Sequence, residues 1–202
     1  MPNLQLIKDL RIALKDMENY VKNPAFLIKG REFKNFQLRP REAWANWLIC
    51  VVLNEIYGDS FTFGENPDSD GMILDTKTGN FIVTEHVSAL ENVFNILPKG
   101  DDRIIQAIDS KIKRGPQYAA GKTLVVFFDG AGEFYRNKIR ENIKGRHNFK
   151  SIFCIGHITS SIDGGYVYAV TQFKDSYGDQ SITYKVEISN NFNSWEVSQI
   201  RA

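Results

Sequence analysis

Cysteine is nearly missing from this chain: there are two in 202 residues, Cys50 and Cys154, each inside an apolar run. Neither has the spacing of a zinc site and two cannot build a disulfide framework, so both read as small core residues. Histidine is scarce too, with three residues. His157 has no cysteine or acid at ligand spacing, and His86 reads as packed. The longest apolar run is far below the eighteen or so residues of a membrane-spanning helix, which excludes such a helix. Nothing reads as a signal peptide, and with so little cysteine a reducing cytoplasm is the expected setting. No repeat or low-complexity tract is visible. An excess of either charge is missing as well: 25 Lys and Arg against 24 Asp and Glu leave +1, with a pI near 7.7. A polyanionic partner would therefore be held by local patches rather than by a global field.

What is present is an ordinary globular balance, 43% hydrophobic and 24% charged, enough for one sizeable core. We read one domain over 1–202: an N-terminal helix and basic connector (1–39), an α/β core (40–158) and a β-rich extension (159–202). The pattern centres on residues 65–90, ENPDSDGMILDTKTGNFIVTEHVSAL, where two apolar runs are joined by the turn-formers of 75–80. This predicts a β-hairpin with Met72 and Ile73 opposite Ile82 and Val83. Asp70 then enters the first strand, and Glu85 leaves the second, at the same end of the ladder. Two such carboxylates suit a hard divalent cation, Mg2+ or Mn2+, which takes oxygen ligands and keeps several waters. Asp68 or Glu65 replaces Asp70 if the register is shifted. Taken singly, an acid before glycine also closes turns, and a strand-end glutamate is also simply solvated.

Residues 3–22 predict a first helix, with Asn3 as its cap and Leu6, Leu10, Leu14, Met17 and Val21 on one face. Asn23-Pro24 ends it. Lys29, Arg31, Lys34, Arg39 and Arg41 follow in a connector that reads as a phosphate-approaching stretch or as solvated surface. Pro40 opens a second helix that runs to about Tyr57 and is apolar nearly all round, apart from Glu42 and Glu55. Glu42, at its start, also suits the positive end of the helix dipole. Residues 60–63 alternate as a strand does.

After the hairpin, residues 91–100 read as a loop or short helical turn, with Pro98-Lys99-Gly100 breaking regular structure. Asp101 and Asp102 suit the start of a third helix, and Lys111, Lys113 and Arg114 its end. Gly115-Pro116 stops this helix and leads into an almost wholly apolar strand over 122–128, as expected of a covered central strand. Asp129-Gly130-Ala131-Gly132 lacks a P-loop ending and reads as a plain turn into a helix over 133–144. There and just beyond, Arg136, Lys138, Arg140, Lys144 and Arg146 gather with His147 and Lys150 around one acid, Glu141. Such a patch suits a nucleic-acid backbone. It equally suits the wet side of a helix whose Phe134, Tyr135, Ile139 and Ile143 pack inward. Segments 151–158, 165–173 and 181–188 are β-rich, and Trp195 and Val197 suit a last short strand.

A long apolar helix, three strands, a helix carrying Lys111 and Lys113, and an apolar strand follow one another over about residues 40–130. The chain here resembles the PD-(D/E)XK nuclease superfamily. The matching pieces are Pro67-Asp68-Ser69-Asp70-Gly71, Ile82-Val83-Thr84-Glu85-His86-Val87, Ala107-Ile108-Asp109-Ser110-Lys111 and the strand ending at Asp129. The departure is Val87, where the family has a lysine two residues after the strand acid. Gln117 and Tyr118 are adjacent, without the three-residue gap of the exonuclease branch. The resemblance implies that Lys111, with Lys113 second, supplies the missing cation from the following helix, and that Glu42 assists the metal site. It implies an α/β fold with a mixed central sheet flanked by helices. The activity implied is Mg2+-dependent endonuclease cleavage of DNA, as in restriction or other defence, with Asp70 and Glu85 on the metal and Lys111 steadying the water or the transition state. A homodimer would suit double-strand cutting. The other reading, favoured by Val87, is a nuclease-like fold without catalysis that binds nucleic acid or protein.

Overall fold

The structure, a computed structural model, describes residues 5–30, 33, 36–90, 100–128, 134–160, 163–174 and 180–200. Its helices are Leu10–Lys22 (α1), Pro24–Lys29 (α2), Pro40–Tyr57 (α3), Asp101–Ile112 (α4), Pro116–Ala119 (α5) and Arg136–Ile143 (α6). Its strands are Phe61–Asn66 (β1), Ser69–Asp75 (β2), Phe81–Ala89 (β3), Lys122–Phe128 (β4), Ser151–Ser160 (β5), Tyr166–Phe173 (β6), Ser181–Ile188 (β7) and Trp195–Ile200 (β8). β1 pairs with β2 and β2 with β3 antiparallel, whereas β4 pairs with β5 parallel. The fold is α/β with a mixed sheet, as expected, and hydrogen bonding links the strands in chain order. Among the described residues no helix is long and apolar enough to cross a membrane. By its contacts the chain divides into two compact, interleaved units.

The first unit comprises Met1–Thr84, Ser160–Tyr166 and Val186–Val197. α1 begins later than the sequence pattern suggests. The Asp9 carboxylate accepts the amides of Arg11 and Ile12 at 2.7 and 3.3 Å and caps the helix there, while Leu6 is extended and bridges Gly64. The expected cap, Asn3, lies outside the described residues. Asn23 ends α1 and its side chain caps α2 at Ala25, so the connector opens with a short helix. Arg31 and Lys34 lie outside the described residues.

α3 has no wet face, because every residue from Ala43 to Leu53 is buried. Trp44 and Trp47 stack at 5.1 Å, Trp47 meets Trp195 edge-on at 5.2 Å, and Trp47 Nε1 donates to the Leu10 carbonyl at 2.8 Å. Each such aromatic contributes about 2–3 kcal/mol of burial. Against this helix stands the hairpin in its expected register, Met72 opposite Val83 and Ile73 opposite Ile82. Asp75 fixes the turn by accepting from Lys77 N at 3.0 Å and Thr78 Oγ1 at 2.7 Å. Gly71 is required where it stands: its φ is +144°, and a Cβ would lie 2.6 Å from Asn46 Nδ2 on α3.

The second unit comprises Glu85–Thr159, Val167–Lys185 and Ser198–Ala202. Its core gathers Ile104 and Ile108 of α4, Leu124 and Val126 of β4, Ile139 and Ile143 of α6, and Ile152 and Cys154 of β5. β4 is buried from Thr123 to Phe128, as expected of a covered strand. Cys50 and Cys154 are free and buried. Gly115-Pro116 stops α4 as expected, but Pro116 then opens the single turn of α5 rather than leading straight into the strand. Tyr118 on that turn packs edge-on against Phe149 at 6.3 Å. The helix expected from 133 to 144 starts only at Arg136, because Tyr135 is extended and stands as its N-cap; the segment expected over 91–99 and the turn expected from Asp129 to Gly132 lie outside the described residues.

Candidate functional site

In the first unit the acids of interest are Glu42 and Asp70. Glu42, 8% exposed in the first turn of α3, accepts the Arg39 amide on Oε2 at 3.0 Å. Burial pushes its carboxyl pKa up, the nearby charge of Asp70 pushes the same way, and the Arg39 amide only partly offsets them. Arg41 is the neighbour that sequence reasoning did not single out here. Burial lowers its pKa while the charges of Glu42 and Asp70 hold it up, and its Nε is buried without a hydrogen-bond partner. A buried carboxyl that holds its proton more tightly than usual, with the charge of a second acid acting on it, fits a hard cation. Among the described residues no three of His, Cys, Asp and Glu gather as a ready metal cage; magnesium commonly needs only one or two carboxylates.

Asp70 is half-buried on β2, two residues before Met72 of the ladder. Asp68 is exposed in the preceding turn, its amide on Asn66 Oδ1 at 3.0 Å, and Glu65 accepts the Gln37 amide at 2.9 Å. The hairpin register is unshifted, so the condition under which either would replace Asp70 does not arise.

In the second unit Glu85, 6% exposed, is the centre of a tight polar cluster. Lys122 Nζ stands 2.7 Å from Oε1. The Tyr118 hydroxyl donates to Oε2 at 2.5 Å and accepts from Lys111 Nζ at 3.0 Å, which itself lies 3.5 Å from Oε2. Burial pushes the Glu85 carboxyl up, but the hydrogen bonds from Lys122 and Tyr118 and the two lysine charges outweigh it, so its pKa lies below the ordinary glutamate value. Lys111 therefore does reach the strand acid, from the helix that follows the strands. Lys113 is exposed, and Val87 packs on the unit's core. Tyr118 and Lys122 were not foreseen as partners. α5 turns the tyrosine back onto the site, and its ring carries three cations, Lys111, Arg114 and Lys122, at 5.7, 4.8 and 4.7 Å.

The basic patch is largely spent on neighbours. Lys138 pairs with Asp102 at 2.8 Å and Asp101 at 3.8 Å, Arg140 with Glu141 at 3.1 Å, and Arg146 with Asp109 at 2.9 Å. Lys144 is exposed. Arg136 differs, its Nη1 resting on Thr183 Oγ1 at 3.4 Å. His86 and His147 are buried and His157 is half-buried.

No protein-family model, curated protein or solved structure matches this chain.

Proposed function

We propose that the chain cleaves DNA phosphodiesters with a divalent cation, Mg2+ or Mn2+, for which Asp70 and Glu85 are the ligands and Glu42 an assistant. The observation that carries this reading is Lys111: its ammonium stands 3.5 Å from the Glu85 carboxylate, where the strand acid needs the cation that Val87 cannot supply. The succession α3-β1-β2-β3-α4-β4 and the crowding of charge at Glu42 and Asp70 add support. A bound cation of this kind supplies Lewis-acid charge at a phosphoryl oxygen and eases deprotonation of water. Lys111, oriented by Tyr118, donates a proton in a hydrogen bond to the attacking water or to a phosphoryl oxygen and lowers the energy of the charge that develops there. Glu85 stays ionised and holds Lys111 and Lys122 in place. Glu42, whose carboxyl pKa burial raises, would be favoured in its ionised form by a cation beside it. The setting proposed is restriction or other defence in the cytoplasm, with a homodimer for cutting both strands.

Nicking of supercoiled plasmid in Mg2+ tests this. Lys111→Ala loses about a hundredfold or more in rate while keeping its metal affinity; nicking at the wild-type rate in that variant sinks the proposal. One observation favours a second reading, a binding module without catalysis: both oxygens of Glu85 are satisfied by protein donors. On that reading the wild type does not nick, and Glu85→Ala costs stability alone.

A further inference from the structure

Nine large apolar side chains are well exposed among the described residues, and three of them, Tyr135, Ile158 and Ile200, line one cavity of about 510 Å3 in the second unit. That size lies within the roughly 300–1,000 Å3 of small-ligand pockets. The cavity opens beside the C-terminal end of β4, which runs parallel to β5, the customary end for ligands in open α/β sheets. Its aromatic wall is built to be flat. Phe128 stacks on Phe134 at 5.1 Å and 11° and lies so close over Gly156 that a Cβ there would meet the Phe128 ring at 2.3 Å.

The polar side is equally specific. Lys138, Arg140 and Arg146 each meet a carboxylate, but Arg136, which lines the cavity, meets none among the described residues. Its guanidinium is steadied by Thr183, itself hydrogen-bonded to Thr171 at 2.9 Å. No acid is among the described residues lining the cavity. Burial pushes the His157 imidazole pKa down, so at neutral pH the cavity's full positive charge belongs to Arg136, with His157 and Asn137 left to serve as neutral hydrogen-bonding groups. A half-buried guanidinium beside flat apolar walls, with no carboxylate partner among the described residues, is complementary to a planar ring that carries an anion.

We infer that this cavity binds one nucleotide, its base against Tyr135 and the apolar rim and its phosphate on Arg136. The same chemistry belongs to a free nucleoside 5′-phosphate and to the 5′-phosphorylated end of a single strand. Neither needs a metal or cleavage, so the inference stands apart from the nuclease reading.

The test is calorimetric titration of the full chain in EDTA with adenosine 5′-monophosphate and, separately, with a short 5′-phosphorylated oligodeoxyadenylate. At least one probe binds saturably at submillimolar concentration. Arg136→Gln weakens it about tenfold or more, and Tyr135→Ala about ten- to a hundredfold. Adenosine, lacking the phosphate, binds the wild type no better than the monophosphate binds Arg136→Gln. Equal affinity for the two probes assigns the cavity to free nucleotide, and preference for the oligonucleotide assigns it to a strand end; both support the inference. Circular dichroism checks the fold, with Tyr135→Leu in reserve if Tyr135→Ala does not fold. The inference is overturned if neither probe binds at millimolar concentration, or if folded Arg136→Gln binds both as the wild type does. Asp70→Ala should bind both probes normally even if it has lost metal and nicking.

Discussion

Glu42 and Glu85 are both buried glutamates, and their surroundings push them in opposite directions. The carboxyl pKa of Glu42 is raised, chiefly by burial and in part by the charge of Asp70. A carboxyl whose folded value is raised contributes stability below its unfolded value and loses it as pH rises through the folded one. Glu42→Gln, which keeps an acceptor for the Arg39 amide, should therefore raise Tm at neutral pH without metal by about 2–4 °C, the effect of roughly 1 kcal/mol in a chain of this size. The same variant should bind Mn2+ more weakly. A lower Tm in calorimetric scans would contradict this. Glu85 has a lowered pKa, so its contribution is complete above the unfolded value of about 4.3 and is lost as pH falls through the folded one. Thermal melts below pH 4 should show the wild type losing its advantage over Glu85→Gln; a gap that does not change with pH would refute the ion-pair account. At this scale the approach of Lys111 to Glu85 was legible, because the strand and the helix that carry them both have strong local signals. Tyr118 and Lys122 were not, because only tertiary packing brings them to Glu85.

Elements were legible where one local signal dominates. Pro40 fixes the start of α3, and the turn-formers of 75–80 set the register of β2 against β3. Two boundaries went otherwise for physical reasons. α1 starts at Asp9, the residue whose carboxylate caps it, since Leu6 is drawn into a bridge with Gly64. α5 forms because a proline that ends one helix is also well suited to begin another. At the junction of α3 and β2, Gly71 leaves no room for a side chain. Gly71→Ala should cost about 1–3 kcal/mol for the backbone conformation alone, and more if Asn46 cannot move. A denaturant midpoint equal to the wild type would show that β2 does not need that approach.

For the whole molecule, the proposed function together with a net charge of +1 and a basic patch mostly paired internally predicts modest, local attraction for DNA. The logarithm of affinity should fall with the logarithm of salt concentration by about one unit per phosphate contact, and Arg136→Gln should remove about one such unit, as binding titrations at several salt concentrations would show. A slope of eight or more would mean that the internal pairs open on binding. The α/β class and the succession of helices and strands could be read from periodicity; the division into two interleaved units could not, because it depends on which distant segments pack together. The most direct test of the central claim is a calorimetric Mn2+ titration of the wild type, Asp70→Ala and Glu85→Ala, each checked for folding. We predict saturable binding by the wild type that is lost in both folded variants. No binding by the wild type at millimolar Mn2+, or wild-type binding by both variants, would contradict the assignment of Asp70 and Glu85 as the metal ligands.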